Sequence, residues 1–133
     1  MAAEATVLSL TRDLLSCIAK GNYGRYQELC ADDLTCFEPE AGGYLVEGLP
    51  FHKWYFDLNE TKPSGAVAAN QTISSPKVRM MGENAAVVVY IRLQQIVDEN
   101  GRPKTVRSEE TRVWQKIDGK WKNVHFHRSS PSS

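Results

Sequence analysis

The segment "SEETRVW", residues 108 to 114, has the composition of a β-strand and carries an arginine at its centre. Side chains on a strand alternate between two faces, so Glu110, Arg112 and Trp114 share one face. Val113 belongs to the opposite face. A charge pair beside a large aromatic side chain is typical neither of a solvated face nor of a plain apolar core. The strands on either side of this segment must therefore explain why the arginine is there.

The neighbouring sequence predicts an antiparallel meander that contains this segment. The connectors "DENGR" and "IDGK" combine glycine with Asn or Asp, which tolerate the positive φ angles of tight turns. The strands that these and the preceding connectors separate are predicted at residues 66–74, 77–81, 85–97, 104–117 and 120–129.

The first half of the chain predicts mainly helices. Apolar residues at Val7, Leu10, Leu14 and Ile18 form one stripe of an amphipathic helix over residues 4–20. A short helix through "YGRYQELC" and a third through "LPFHKWYFDL" follow, separated by a strand at "LTCFEPE" and a short extended piece in "AGGYLVEG". The resulting fold class is α+β, with a strongly curved antiparallel sheet and the N-terminal helices on its concave face.

Length and charge restrict the class of protein. The 133 residues correspond to one domain, 1–133, with a tail from about 129 to 133 that is expected to be disordered. The 16 basic and 16 acidic residues balance, which argues against a general nucleic-acid partner. The longest apolar run, residues 85–91, is too short to span a membrane. Without a signal peptide, we expect a cytoplasmic protein whose three cysteines are reduced and buried.

Counting by twos places one arginine of each long strand on a common face. We expect this face to line a pocket, which the aromatic residues Tyr90, Trp114 and Phe126 share. The residues assigned to this face are Val88, Tyr90, Arg92, Gln94, Glu110, Arg112, Trp114, Val124, Phe126 and Arg128.

The opposite face is also largely apolar. A sheet with one solvated face alternates apolar and polar residues, and this sheet does not. Helices can cover one face, and we expect a second copy of the chain to cover the other. The residues of this predicted subunit interface are Val87, Val89, Ile91, Leu93, Val113, His125 and His127.

The three arginines suggest an anion site. A buried arginine is costly unless it is paired, and we expect Glu110 to neutralise at most one of them well. Two guanidinium groups would then be available for a carboxylate or phosphate. The alternative is that an arginine reaches solvent or pairs with Glu38 or Glu40.

Other candidate chemistry is weaker. His125 and His127 have a spacing that could bind a metal, but packed interface histidines explain them as well. Cys17 and Cys30 are expected on apolar helix stripes rather than in a reactive site. His52 is expected to line the pocket, because its helix should cover the mouth. No residue pair forms an evident general acid and base, so the sequence predicts no catalytic residue, metal or cofactor.

Three stretches carry a family resemblance. "FEPEAGGYLVEGLPFHKWYF" at 37 to 56, "SEETRVW" at 108 to 114 and "DGKWKNVHFHRSS" at 118 to 130 resemble the association (hub) domain of calcium/calmodulin-dependent protein kinase II. "IAKGNYGRYQELC" and "YIRLQQ" extend the resemblance over nearly the whole chain. This family belongs to the NTF2-like, or SnoaL-like, superfamily.

The resemblance implies a non-catalytic scaffold. It implies an NTF2-like cone that self-assembles, through dimers, into two stacked rings of about six or seven subunits each. It also implies that Arg92, Arg112, Arg128 and His52 match the family's pocket residues, and that acidic side chains or small carboxylates can enter the pocket. Kinase-bearing subunits of the same family are then further candidate partners. The divergent loop "NETKPSGAVAANQ" leaves the ring size open.

Two other functions remain open from the residues. One is an enzyme of the SnoaL or ketosteroid-isomerase kind, which would use a carboxylate or histidine in the cone for proton transfer. The arginine-rich pocket, with no base of evidently tuned pKa, argues against it. The other is a small-anion-binding module, which is compatible with a hub because one domain could assemble and also bind an acidic ligand.

Overall fold

A computed structural model describes residues 2–60 and 70–131 of the chain. Three α-helices, a short 3-10 helix and six strands make up this part. The helices are α1 (Ala2–Lys20), α2 (Tyr23–Leu29) and α3 (Pro50–Glu60), and the 3-10 helix is Pro39–Ala41. The strands are β1 (Cys30–Phe37), β2 (Val46–Glu47), β3 (Asn70–Met80), β4 (Ala85–Val97), β5 (Pro103–Ile117) and β6 (Lys120–Ser129).

The strands form one sheet in the order β2-β1-β6-β5-β4-β3. The predicted meander of β4, β5 and β6 is confirmed, with Gly101 and Gly119 at positive φ in its two turns. The sheet is not wholly antiparallel, because β1 runs parallel to β6. The connection from β1 to β6 contains α3 and four strands, β2 to β5, which is the long connection that parallel pairing requires.

Element boundaries were predicted best in the meander. β4 and β6 have the predicted ends, and β5 begins one residue earlier than expected. Two predictions were wrong: Cys30 begins a strand instead of ending a helix, and the two strands expected at 66–74 and 77–81 are one strand with an irregularity after Ser74. The predicted loop "NETKPSG" and the start of the first of these strands fall largely outside the described residues. Ser129 is the last residue of β6, at the predicted end of that strand.

The helices pack against the face of the sheet that holds the arginines. Val7 and Leu14 of α1 are fully buried in the core with Val88 and Trp114 of the sheet. The indole Nε1 of Trp114 donates a hydrogen bond of 3.1 Å to the hydroxyl of Thr11, which itself donates to the carbonyl of Val7. The buried tryptophan therefore has its polar atom satisfied by the helix that covers it.

A bulge in β5 and β6 changes the expected alternation at one end of the sheet. Arg112 is opposite Phe126, but the register shifts after Val113, so that Trp114 is opposite Asn123. Asn123 is consequently fully buried and contacts Arg112 on the inner face, and Val124, which was assigned to that face, is the extra residue of the bulge and is half-buried. Strict period-2 counting fails at a bulge because one strand has an extra residue there.

All three cysteines are free and buried, as expected from the sequence. None of the described helices has the length and apolar character needed to span a lipid bilayer.

Candidate functional site

The inner face of the sheet brings the three predicted arginines together with Glu110. Tyr90 of β4 is opposite Glu110 of β5, which in turn is opposite Arg128 of β6. Arg92 and Arg112 lie two positions along their strands from Tyr90 and Glu110. All of these except Arg128 are buried, with at most 6% of their surface exposed.

Glu110 is the centre of a buried network that we define as Tyr90, Arg92, Glu110 and Arg112. Its Oε2 lies 3.0 Å from Nη1 of Arg92, and its Oε1 lies 3.2 Å from Nη2 of Arg112. The Tyr90 hydroxyl donates to Oε1 of Glu110 at 2.5 Å and accepts from Nε of Arg112 at 2.8 Å. One carboxylate therefore serves two guanidinium groups and a phenol.

The electrostatics of the buried network follow from these contacts. Burial disfavours the charged form of Glu110, but Arg112 and Arg92 outweigh it and lower the pKa of Glu110 to about 2. Burial equally opposes the charge on Arg112, yet Tyr90 and Glu110 hold the pKa of Arg112 above its ordinary value. Burial raises the pKa of Tyr90 to about 12, so its hydroxyl stays protonated and can donate. At neutral pH Glu110 and Arg112 are therefore charged, and the neutral Tyr90 hydroxyl bridges them.

Residues from β6 and β3 complete the network. Arg112 donates from Nη1 to the Asn123 side chain at 2.9 Å, and its guanidinium lies 4.4 Å from the ring centre of Phe126. Arg92 donates from Nε to the Gln71 side chain at 3.1 Å, and Gln71 donates to a carbonyl of α1. The expectation that Glu110 neutralises one arginine and leaves two free was wrong. Each of the two carboxylate oxygens of Glu110 contacts one arginine, Arg92 on the neighbouring strand β4 and Arg112 on its own strand β5.

The third arginine belongs to a rim cluster that we define as Glu38, Glu40, His52 and Arg128. Arg128 donates from Nη2 to Oε1 of Glu40 in a close contact, and lies 3.8 Å from Oε2 of Glu38. These are the two carboxylates named as alternative partners from the sequence. Among the described residues, each of the three pocket arginines therefore has a carboxylate partner.

The two carboxylates of the rim cluster are not equivalent. Burial raises the pKa of Glu38, and the negative charge of Glu40 adds to this effect. Burial also acts on Glu40, but the hydrogen bond from Arg128 outweighs it and lowers the pKa of Glu40. Glu40 is the more exposed, with 40% of its side chain accessible against 8% for Glu38.

His52 lies in the first turn of α3, where the helix covers one end of the inner face. Its Nε2 lies 3.5 Å from Sγ of Cys36, and its Nδ1 lies 3.8 Å from Oε1 of Glu38. Burial lowers the pKa of His52 to about 4, and Arg112 contributes to the shift. His52 is therefore neutral at pH 7, and its contact with Glu38 is not an ion pair there.

The two groups of residues border a cavity of about 240 Å³. Arg92, Arg112, Arg128, His52 and Phe126, all predicted pocket residues, line it. Trp114 lies instead in the core against α1. Tyr90 and Glu110 do not line the cavity, but they bind the arginines that do. The remaining lining residues are Ile18, Tyr26, Glu38, Glu40, Tyr55, Phe56 and Gln94.

Several lining residues were not predicted because they lie on helices, and spacing along the chain does not show which helix residues pack against the sheet. Tyr26 belongs to α2, and Tyr55 and Phe56 to α3. Glu38 and Glu40 were recognised only as alternative partners for an arginine. The alternation of side chains along the long strands predicted the face that lines the cavity. It could not predict which side chains the helices place against that face.

The predicted interface residues lie together on the opposite face, which we call the outer surface. It comprises Val87, Val89, Ile91, Leu93, Val113, His125 and His127, and none of these is buried. Val89 is 39% exposed. His125 contacts the Thr35 hydroxyl at 2.7 Å, and both histidines pack against the ring of Phe37, so their rings lie against β1.

Comparison with known proteins identifies a family. Residues 3–132 match the family described as calcium/calmodulin dependent protein kinase II association domain. The chain is 46% identical over 128 residues to the delta subunit of calcium/calmodulin-dependent protein kinase type II from Oryctolagus cuniculus. It is also 46% identical over 129 residues to the alpha chain of the Drosophila melanogaster kinase. These alignments cover 96% and 97% of this chain, and 24% of each relative's own length.

Solved structures agree with this assignment. The hub homology domain of Chlamydomonas reinhardtii superposes with a TM-score of 0.91 at 50% identity, covering 99% of this chain and 100% of that one. The association domain from C. elegans gives 0.88 at 41% identity, covering 97% and 96%. An NTF2-like superfamily protein from Salmonella enterica gives 0.74 at 20% identity over 99% and 93% of the two chains, which shows the fold alone. The α+β, NTF2-like fold predicted from the sequence is confirmed.

Proposed function

The chain belongs to the calcium/calmodulin-dependent protein kinase II association domain family, and we propose on this basis that it is an oligomerisation hub. It is a non-catalytic association domain and contains no kinase domain within the matched residues. Copies of the chain associate with one another, and we propose that they form stacked rings of about twelve or more subunits.

The observation that supports self-assembly is the outer surface. Four of its five aliphatic residues form a row on β4 and the fifth, Val113, lies opposite Val87 on β5, and none belongs to the hydrophobic core of the described residues. Contiguous exposed apolar surface on a soluble domain marks an interaction site. Two sheets pack face to face about 10 Å apart by interdigitating such rows, so a second copy related by a two-fold axis is a suitable occupant.

The mass in solution tests this proposal. Native mass spectrometry at low micromolar concentration should show one discrete species of about twelve or more copies, roughly 180 kDa or above for a 14.9 kDa chain. A monomer or a simple dimer as the largest species would contradict the ring proposal.

A charge on the outer surface should disrupt assembly selectively. Ile91→Asp places a carboxylate in the centre of the apolar rows, where an interface would have to desolvate it. We expect smaller species at the same protomer concentration. Met81→Asp is the matched control, because Met81 is 48% exposed in the turn between β3 and β4 and lies outside the outer surface. Equal effects of the two variants would argue against the outer surface as the interface.

We also propose that the cavity accepts an acidic side chain or a small carboxylate at Arg128. Arg128 is the most exposed of the three pocket arginines, and its close partner Glu40 is itself 40% exposed. An incoming carboxylate can replace Glu40 there without disturbing the buried network. The arginine fork suits this exchange because it binds either carboxylate in the same way.

Thermal denaturation with propionate tests the carboxylate proposal. Propionate should raise the midpoint temperature relative to the neutral analogue propionamide at equal ionic strength. Arg128→Gln should remove the difference, whereas Arg107→Gln, which changes an exposed arginine paired with Glu109, should retain it. Equal shifts from propionate and propionamide would contradict the proposal.

The cellular setting follows from the relatives and is part of the proposal. The matched proteins are kinase subunits about four times longer than the aligned region, so kinase-bearing subunits of the same family are proposed as partners. Co-purification that recovers no such subunit would remove this partner. The cytoplasmic location expected from the sequence remains a prediction.

A further inference from the structure

Three residues with different metal-binding donors meet beside the cavity, which two of them, Glu38 and His52, line. Cys36 is the penultimate residue of β1, Glu38 follows the end of that strand, and His52 faces them from the first turn of α3. One donor atom from each lies within 4.8 Å of the other two. Cys36 is fully buried, His52 is 6% exposed, and the Glu38 side chain is 8% exposed.

We propose that Cys36, Glu38 and His52 bind one Zn²⁺ ion, with water in the fourth coordination position. Thiolate, imidazole and carboxylate are the three protein ligands of zinc, and three of them with one open position is a common arrangement. This mixed donor set also disfavours Mg²⁺ and Ca²⁺, which require oxygen ligands.

The geometry of the Cys36–His52 pair fits such a site. Zinc bonds of about 2.3 Å to sulfur and 2.05 Å to nitrogen at a tetrahedral angle put the two donors about 3.6 Å apart. The observed distance from Sγ to Nε2 is 3.5 Å. Glu38 is held only loosely, at 3.8 Å from both Arg128 and His52, so its carboxylate can rotate toward the ion while Arg128 keeps Glu40.

The charges in the site are compatible with a dication. A Cys36 thiolate and a Glu38 carboxylate supply two negative charges, which neutralise Zn²⁺, while Glu110 and Glu40 remain to balance Arg112 and Arg128. His52 is neutral at pH 7, which leaves Nε2 able to bind without first losing a proton. Burial raises the pKa of the Cys36 thiol to about 12, so the ion must displace the thiol proton.

The same facts argue against a reactive thiol. A nucleophilic cysteine beside a histidine requires a thiolate in an accessible, electropositive position. Cys36 has no exposed surface, and burial holds it in the thiol form. Metal binding uses the pair without requiring access by a large substrate.

A cobalt titration of the full chain tests the proposal. Metal-free protein should bind one Co²⁺ per chain with a thiolate-to-cobalt charge-transfer band in the near ultraviolet, and Zn²⁺ should displace it. Absence of this band with a tenfold excess of Co²⁺ over wild-type chains would overturn the proposal, whatever the variants do.

Matched variants assign the band to the three residues. Cys36→Ala should abolish it, whereas Cys30→Ala, which removes another buried thiol of β1, should retain it with one equivalent of Co²⁺. His52→Gln should weaken Zn²⁺ binding at least tenfold. A band that persists in Cys36→Ala would place the metal elsewhere and overturn the assignment. Circular dichroism of each variant identifies any that fail to fold.

The pH dependence provides a second, independent readout. One thiol proton leaves for each Zn²⁺ that binds, so the affinity should rise about tenfold per pH unit between pH 6 and pH 7.5. An affinity independent of pH in this range would contradict a thiolate ligand.

Discussion

The buried network and the rim cluster lie in the same cavity and contain the same kinds of group, yet their two buried carboxylates behave oppositely. Glu110 has a pKa lowered to about 2, whereas the pKa of Glu38 is raised. Both are buried, so desolvation acts on both in the same direction. The difference lies in their partners: two arginines at 3.0 and 3.2 Å for Glu110, and one at 3.8 Å for Glu38, with Glu40 nearby.

This contrast distinguishes charges that maintain the fold from charges whose partners can be exchanged. In the buried network every charge has short contacts, and replacement of one member leaves the others buried without compensation. In the rim cluster Arg128 is partly exposed and contacts two carboxylates, those of Glu38 and Glu40. The network therefore fixes the inner face, and the rim cluster is where a ligand or ion can be exchanged.

The largest expected effect comes from Glu110→Gln. The amide keeps the shape of the side chain but leaves the charges of Arg92 and Arg112 without a carboxylate in a buried site. We expect the free energy of unfolding to fall by about 3–5 kcal/mol in chemical denaturation. Measurements at one protomer concentration are required, because assembly contributes to stability.

Glu28→Gln is the matched control for this variant. Glu28 lies on α2, away from the outer surface, with an exposed side chain and a 3.1 Å contact to Arg25. Its loss should change stability by no more than about 0.5 kcal/mol. Similar losses for the two variants would mean that the buried network does not carry the stability assigned to it.

Acid should weaken the buried network by a smaller amount. The pKa of Glu110 is lowered from 4.5 to about 2 on folding, so its stabilising contribution is present above pH 4.5 and is lost as the pH falls toward 2. The difference in unfolding free energy between wild type and Glu110→Gln should be about 2 kcal/mol smaller at pH 3 than at pH 7. A difference that stays constant over this range would show that Glu110 is not ionised preferentially in the folded state.

The sequence predicted which arginines share the inner face, but not which side chains pair with one another there. Arg92, Arg112 and Arg128 could be placed together because alternation along a strand is local and the turns fix neighbouring strands. Which oxygen of Glu110 meets which arginine depends on register across three strands and on side-chain rotamers. Neither can be determined from spacing along the chain.

The contact between Cys36 and His52 could not be predicted from the sequence. Cys36 and His52 are separated by an intervening 3-10 helix, a short strand and the start of α3, so only tertiary packing brings them to 3.5 Å. The bulge after Val113 was missed for a similar reason, since it places Asn123 inward by a register shift that no turn residue signals. In both cases spacing along the chain was insufficient, because long-range geometry determines which residues meet.

The smallest effect, and one of opposite sign, is expected for Glu38→Gln. A raised pKa means that the folded protein disfavours the ionised carboxylate, so this penalty is present at neutral pH and is relieved as the pH falls. In metal-free buffer at pH 7 the neutral amide should leave stability unchanged or raise it by less than about 1 kcal/mol. Glu47→Gln on the exposed side of β2 provides the baseline. A loss comparable to that of Glu110→Gln would show that the 3.8 Å contact with Arg128 holds the fold as strongly as the short contacts of the buried network, and the distinction between the two regions would fail.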